Sequence, residues 1–262
     1  MLCGLSFSKA DKNFVILIAS YNNARWCEWS LRSALTQKYD NFRIIYIDDC
    51  SKDRTADLTQ RLIRAEDVKN RVTFIHNKVR KGALYNQYTA THDLCQPDEI
   101  IVILDGDDAL ANDNVLSYLN NVYKSGEVWL TYGQYQELKG GARGFCCPMP
   151  DHVVRNNLFR QWQHIPSHLR TYYVWLFNQV KKEDLLMSDG SFYPMSGDMA
   201  VMIPMIEIAR DHYKFISDIL YIYNNTNPIS DHMVDKKLQR SIDLHVRSLP
   251  RYRPLTRAPI QL

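Results

Sequence analysis

The sequence predicts an α/β fold, with an open, mostly parallel sheet of the Rossmann type and helices on both faces of that sheet. Short continuous apolar runs, which are typical of strands buried on both faces, alternate with segments that carry apolar residues at helical spacing. Strands that alternate with helices pair in parallel, because each helix returns the chain to the edge where the previous strand began. A chain of 262 residues is long enough to build one large domain of this kind.

The composition of the chain argues against several classes of protein. Hydrophobic residues make up 45% and charged residues 23%, as in ordinary globular proteins, and the net charge of +3 is too small to indicate nucleic-acid binding. We expect no membrane span, because no apolar run reaches the roughly 18 residues that one needs. The six cysteines form no Cys-x-x-Cys pair, and the first residues do not resemble a signal peptide. These features predict a cytoplasmic protein with reduced thiols, although a fragment of a secreted protein would also lack its signal; the oligomeric state stays open.

The first half of the chain supplies the predicted parallel strands. We expect strands at 13–19, 42–47, 72–75 and 100–104, and helices at 24–37, 53–66 and 83–94. Asn22 or Asn23 is suited to cap the first of these helices. A basic turn, 78–81, precedes the third helix and could contact phosphate; a solvated surface turn is an equally good interpretation.

The fourth strand ends in an acidic cluster, and the rest of the chain is organised around it. Asp105, Gly106, Asp107 and Asp108 follow the apolar run 100–104 directly. In open parallel sheets, ligands bind beyond the carboxyl ends of the strands. Three crowded carboxylates repel one another, and oxygen ligands suit Mg²⁺ or Mn²⁺. The alternative interpretation is a polar turn, since Asp and Gly are turn residues.

The second half of the chain changes in character. We expect a helix at 112–124, a strand at 128–135 and a loop at 139–144. Residues 145–180 are rich in aromatic, His and Arg side chains, which makes them the best candidate for an acceptor-facing region. The remaining segments are a helix at 197–209, a strand at 215–223, a loop at 224–231 and a helix at 232–247.

Five motifs in a fixed order resemble those of family 2 glycosyltransferases with the GT-A fold. They are Ile18-Ala-Ser-Tyr-Asn22, Ile47-Asp-Asp-Cys-Ser51 with Asp53 and Thr55, the segment 82–86, Leu104-Asp-Gly-Asp-Asp108, and Ser196-Gly-Asp198. The resemblance covers roughly residues 13–225. The segments 162–171 and 192–206 are similar, more loosely, to the transferase domains of collagen-modifying enzymes of giant viruses. The resemblance implies one domain over 1–262, with a nucleotide-sugar half at 13–110, an acceptor half at 111–225 and a C-terminal helix and tail at 226–262.

The resemblance also implies roles for individual residues on the donor side. Residues assigned to the nucleotide-sugar site by the resemblance are Ala19, Tyr21, Asp49, Asp105 and Gly106. The family often has Arg or Lys where this chain has Tyr85, so we expect the phosphate contact at Arg80 or Lys81 instead. Asp49 can accept a hydrogen bond from the uracil N3–H, and Tyr21 can stack on the base. The metal ligands implied are Asp107, Asp108 and His232, although a lone loop His is as often simply solvated.

On the acceptor side, Asp198 matches the family's general base, which takes the proton of the acceptor hydroxyl. An acid in the first turn of a helix can also serve only as a cap, so this alternative stays open. Weaker candidates for acceptor binding are Trp162 and His168.

The function implied is metal-dependent, inverting transfer of a hexose from a UDP-sugar, with Mn²⁺ or Mg²⁺ as cofactor. The acceptor implied is a glycan or a protein hydroxyl, such as hydroxylysine in collagen-like chains. Two alternatives remain, a nucleotidyltransferase and a catalytically silent module that binds nucleotide-sugar or carbohydrate. A dinucleotide-binding dehydrogenase is disfavoured, because Ser-Tyr-Asn follows the first strand in place of Gly-x-Gly-x-x-Gly.

Overall fold

A computed structural model describes residues 10–67, 69–163, 166–229 and 235–260. Within these ranges the chain forms one curled sheet in the order β3-β2-β1-β4-β7-β6-β8-β5. The strands are β1 (Phe14–Ser20), β2 (Phe42–Asp48), β3 (Val72–His76), β4 (Ile100–Asp105), β5 (Ala109–Leu110), β6 (Leu130–Glu137), β7 (Thr171–Tyr173) and β8 (Tyr213–Tyr223). The predicted α/β open-sheet fold is confirmed.

The helices follow the strands of the first half and flank those of the second. They are α1 (Cys27–Leu35), α2 (Thr55–Glu66), α3 (Ala83–Leu94), α4 (Val115–Tyr123), α5 (Asp151–Arg155), α6 (Val174–Phe177), α7 (Gly197–Ala209) and α8 (Lys236–Ser248). The prediction for the start of α1 was wrong. Neither asparagine caps it through its side chain; the N-cap residue is Trp26, and the backbone oxygen of Asn23 accepts the N–H groups of Trp26 and Cys27.

The parallel half of the sheet creates a crevice at its topological switch point. β1 pairs in parallel with β2 on one side and with β4 on the other, so that Ser20 lies opposite Asp48 and Ala19 opposite Asp105. The chain moves outward from β1 to β3 and then returns to β4. The loops after β1 and β4 therefore diverge, which opens the kind of crevice in which α/β sheets bind ligands.

The second half of the sheet is mixed. β7 lies between β4 and β6 and is antiparallel to both, whereas β6 and β8 are parallel with irregular register. The sequence did not predict β7, because three residues are too few to show a strand pattern. Yet β7 joins the two halves of the sheet, and it begins directly after Arg170.

Helix α7 is the buried axis of the C-terminal half. Residues 199–209 are all buried, as expected for a helix that is apolar around its whole circumference. Its one buried acid, Glu207, forms a bidentate ion pair with Arg160, with nitrogen–oxygen distances of 2.8 and 2.9 Å. Arg160 also donates to the Val246 carbonyl of α8, and Glu207 accepts the Tyr252 N–H. This network fixes α7 against α8 and the C-terminal segment.

Candidate active site

The candidate site lies at the carboxyl ends of β1, β2 and β4, where backbone hydrogen bonds join the three following loops. The Asp49 N–H donates to the Ser20 carbonyl at 2.8 Å, and the Gly106 N–H donates to the Ala19 carbonyl at 3.1 Å. A Cβ atom on Gly106 would lie 2.5 Å from that of Ser20, which no side chain tolerates. Only glycine allows this close approach of the acidic loop to β1.

Asp49 organises the turn that follows β3. Its Oδ1 accepts the Asn77 side-chain amide at 2.8 Å and the Lys81 N–H at 2.9 Å, and its Oδ2 accepts the Gly82 N–H at 2.8 Å. Burial alone would raise the pKa of Asp49, but these hydrogen bonds outweigh it and the pKa is lowered. The carboxylate is therefore ionised, and Oδ2 keeps one lone pair for a further donor.

The basic turn 78–81 contacts the residues expected to bind the base. The Arg80 guanidinium carbon lies 4.1 Å from the centroid of the Tyr21 ring, within cation–π range. The Lys81 ammonium is exposed and lies 5.3 Å from the Tyr85 ring. Lys81 thus contacts Asp49 through its backbone N–H. Its neighbour Arg80, in the turn for which the sequence suggested a phosphate contact, covers the Tyr21 ring.

Asp108 is the buried member of the acidic cluster. It is 1% exposed, its Oδ1 accepts the Asn224 N–H at 2.6 Å, and its Oδ2 accepts the Tyr221 hydroxyl at 2.6 Å. Burial, followed by the charges of Asp107 and Asp105, raises the pKa of Asp108 well above its usual value. Tyr221 also contacts Asp105, so the strand β8 closes one side of the cluster.

Asp107 and Asp105 are more open to solvent. Asp107 Oδ2 accepts the side-chain amide of Asn227 at 2.6 Å. Burial, with a further contribution from the Asp105 charge, raises the pKa of Asp107 to about 6. The Asp105 side chain is 42% exposed. A group that carries positive charge would relieve the repulsion among these carboxylates.

The described residues contain one cluster with the geometry of a cation site. Ligand atoms of Asp105, Asp108 and His168 lie within 4.8 Å of one another. The Nδ1 atom of His168 is buried, has no hydrogen-bond partner in the described structure and lies 3.9 Å from Asp105 Oδ2. Burial, with the nearby Arg170 charge, lowers the pKa of His168 well below its usual value, so the imidazole is neutral and able to bind a metal. Two carboxylates and an unpartnered imidazole fit a divalent cation such as Mn²⁺.

This cluster overlaps the expected metal ligands only in Asp108. His168 stacks on Tyr221 with 4.5 Å between ring centroids and lies beside Asp105; its expected role in acceptor binding stays a prediction. The expected ligand His232 lies outside the described residues, and the role of Asp107 stays a prediction. Trp162 packs near His152, and its carbonyl accepts a hydrogen bond from Arg247 of α8.

Arg170 connects the acidic cluster to the start of α7. One nitrogen of its guanidinium group lies 3.1 Å from Asp105 Oδ2, and another lies 3.5 Å from Asp198 Oδ2. Arg170 is 7% exposed, whereas Asp198 is one-third exposed, so the arginine end of the bridge is shielded from water and the Asp198 end is partly open to it. Asp198 Oδ1 accepts its neighbour's N–H, that of Met199, at 2.8 Å. The two acids therefore meet at one guanidinium group, each at a different nitrogen.

Arg170 and Tyr221 are the residues of this site that sequence reasoning missed. Arg170 stood out only as one of several basic residues in the aromatic segment 145–180, and Tyr221 only as part of a strand. Each acquires its role through a tertiary contact with the acidic cluster. The one sequence signal that could have indicated Arg170 is its place in the segment 162–171, which the looser resemblance singled out.

Comparison with known proteins identifies the family. The family model described as glycosyl transferase family 2 matches residues 15–175, more than half of the chain. The chain belongs to glycosyl transferase family 2. It is also 29% identical, over 120 residues, to an uncharacterized glycosyltransferase of Haemophilus influenzae. That match covers 46% of this chain and 46% of the relative, so the chain matches about half of the relative's length.

Solved structures of glycosyltransferases share the fold. The S. aureus protein TarS 1–349, in complex with UDP-GlcNAc, aligns with a TM-score of 0.65 at 15% identity over 89% of this chain and 66% of that chain. A mannosyltransferase from Pyrobaculum calidifontis, in complex with GDP-Man and Mn²⁺, aligns with a TM-score of 0.53 at 18% identity, over 82% of this chain and 59% of that chain. At these identities the likeness concerns the fold, which is that of the GT-A family 2-like glycosyltransferases. None of the helices described here is long and apolar enough to cross a membrane.

Proposed function

We propose that this glycosyltransferase is a metal-dependent, inverting hexosyltransferase that uses a UDP-sugar. The observation that carries the proposal is the Arg170 bridge, which brings Asp105 of the acidic cluster and Asp198 of α7 to one guanidinium group. A single displacement needs the leaving group and the attacking hydroxyl on opposite sides of the anomeric carbon. We assign Asp105 to the side of the leaving group and Asp198 to the side of the attacking hydroxyl.

On the donor side, Asp49 is the proposed reader of the base. Its Oδ2 already accepts the Gly82 N–H and has one lone pair left, which suits the N3–H of uracil. Cytosine has no hydrogen at N3, so CDP would leave that lone pair without a donor and set it against the lone pair of N3. Tyr21 is the proposed stacking partner of the base, and Ala19 and Gly106 are proposed to lie close to the nucleotide. The proposed phosphate contacts are Arg80 and Lys81. The UDP-GlcNAc complex of TarS shows that this fold accommodates such a donor.

On the acceptor side, Asp198 is the proposed general base. The oxygen of the acceptor hydroxyl attacks the anomeric carbon, the bond from that carbon to the UDP oxygen breaks, and the hydroxyl proton moves to Asp198. Arg170 holds the Asp198 carboxylate in place from the side of the donor. Because Asp198 lies in the first turn of the buried helix α7, the base has little freedom to leave this position.

The proposed metal is Mn²⁺ or Mg²⁺. Asp105, Asp108 and His168 fit it by their geometry, and Asp107 and His232 fit it by family resemblance. When bound, the cation would neutralise charge on the diphosphate leaving group. The mannosyltransferase complex with GDP-Man and Mn²⁺ supports a divalent cation in this fold.

The acceptor is proposed to be a glycan or a protein hydroxyl, hydroxylysine of collagen-like chains included. We further propose that residues 1–262 form a single transferase domain that acts in the cytoplasm, with Trp162 near the acceptor.

A donor screen tests the proposal. UDP-, CDP-, GDP- and dTDP-sugars and the free diphosphates are supplied with Mn²⁺, binding is measured by calorimetry, and turnover is followed by release of the nucleoside diphosphate. We expect UDP to bind much more tightly than CDP or GDP, and UDP-sugars to be consumed while CDP- and GDP-sugars are not. Equal affinity for UDP and CDP would remove Asp49 from base recognition. Binding without turnover indicates a silent module, and release of pyrophosphate from a nucleoside triphosphate indicates a nucleotidyltransferase.

A further inference from the structure

Positive charge is concentrated in the C-terminal segment of the chain. Residues 235–260 contain seven Lys and Arg residues against two Asp residues, whereas the whole chain has a net charge of only +3. Both acids have local partners: Asp235 caps α8 by accepting the N–H groups of Lys237 and Leu238, and Asp243 pairs with Arg247 at 2.7 Å. The acids therefore do little to offset the other cations of the segment.

Three of these cations are exposed on the first turns of α8. Lys236, Lys237 and Arg240 are exposed, and none of them forms an ion pair with another residue that the structure describes. Leu244 is 59% exposed and lies one turn beyond Arg240 on the same stripe of the helix. We name Lys236, Lys237 and Arg240 the α8 basic face.

The α8 basic face borders the proposed acceptor side of the site. The Ser196 hydroxyl, two residues before Asp198, donates to the Gln239 carbonyl of α8 at 3.4 Å. Nearly two helix turns further along, the His245 ring lies 6.2 Å from the ring of Tyr193, in the segment that leads into α7. The first turns of α8 thus pack beside the start of α7, where the proposed base lies.

We propose that the α8 basic face binds an acceptor sugar chain that carries negatively charged groups, such as phosphate, sulfate or carboxylate. The inference rests on the proposed function, since it assigns the acceptor class of the same site. Exposed cations beside a cleft raise the local concentration of anionic substrates and fix their orientation. The same charge repels a cationic acceptor, so this inference favours an acidic glycan over hydroxylysine.

Dextran sulfate and neutral dextran form the probe pair, because they differ only in charge. The test variant is Lys236→Gln with Lys237→Gln and Arg240→Gln. The control variant is Arg54→Gln with Arg61→Gln and Arg64→Gln, which removes the same charge from three exposed positions at or on α2. We expect wild type to bind dextran sulfate and not dextran. The α8 variant should bind it roughly tenfold more weakly, as expected for three exposed charge contacts, and the control should stay within about twofold.

Turnover links this binding to the acceptor side. With excess Mn²⁺, dextran sulfate should slow consumption of the UDP-sugar by wild type and by the α2 control, and should have little effect on the α8 variant. Equal loss of binding in both variants, or binding that leaves turnover unchanged, would overturn the proposal. Binding to phosphatidylglycerol vesicles without binding to dextran sulfate would assign the face to a membrane surface instead. UDP affinity, measured in parallel, is expected to be equal in all three proteins; failure of wild type to bind UDP would contradict the proposed function and not the anion site.

Discussion

Replacing Asp198 by asparagine removes the proposed base and leaves most of the contacts around it in place. The asparagine Oδ1 can still accept the Met199 N–H, which is 2.8 Å away in wild type. What is lost is the ion pair with Arg170 at 3.5 Å, in which Asp198 is one-third exposed. A pair of this exposure contributes about 0.2–1 kcal/mol, so the melting temperature should fall by no more than about 4 °C.

The expected loss of activity is much larger than this loss of stability. A positioned general base contributes roughly 10²–10⁴-fold to the rate, or about 3–5 kcal/mol of barrier. Initial rates of UDP release in the presence of acceptor, together with UDP affinity from calorimetry, measure the effect. UDP affinity should be nearly unchanged. The matched control is Asp57→Asn, an acid in the first turn of α2, which should transfer at the wild-type rate. An Asp198→Asn variant within about threefold of wild type would refute the assignment and leave Asp198 as a capping acid.

Three further predictions concern other parts of the molecule. Asp107→Asn should remove most turnover while the fold survives. Adding EDTA to wild-type protein should have the same effect on turnover, and full turnover in EDTA would exclude a required metal. Asp49 has a folded pKa below its usual 3.8, so its stabilisation is present above about pH 4 and is lost as the pH falls through the folded pKa. Urea unfolding should therefore show Asp49→Asn less stable than wild type at about pH 7, with a smaller difference at about pH 3. Arg160→Met leaves the Glu207 charge buried and should lower the free energy of unfolding in urea by about 3–5 kcal/mol. Adding Glu207→Leu should restore part of that free energy, and a loss under about 1 kcal/mol for Arg160→Met would contradict this account.

Elements with a long, regular pattern could be predicted from the sequence. The helix expected at 83–94 is α3, and the one expected at 197–209 is α7, with the same bounds. Helix α7 is a continuous apolar run of helical length, which the sequence displays directly. β7 could not be predicted in this way, because its three residues acquire their role only by pairing with β4 and β6.

The site shows the same division between local and tertiary information. The acidic cluster after β4 is evident in the sequence, because its residues are adjacent and follow a buried strand. That Asp108 is buried against Tyr221 depends on contacts across more than one hundred positions. The Arg170 bridge from Asp105 to Asp198 likewise joins residues far apart in the chain. Motifs thus indicated which side chains matter, and the topology determined which of them meet.

The configuration of the released sugar tests the central claim most directly. Wild-type protein is supplied with Mn²⁺ and a UDP-sugar in which the sugar is α-linked, and the first product is read by proton NMR before its anomers equilibrate. The proposed single displacement predicts that the UDP-sugar is consumed and that the product first appears as the β anomer. An α product, or no consumption of any UDP-sugar under these conditions, would contradict the proposal.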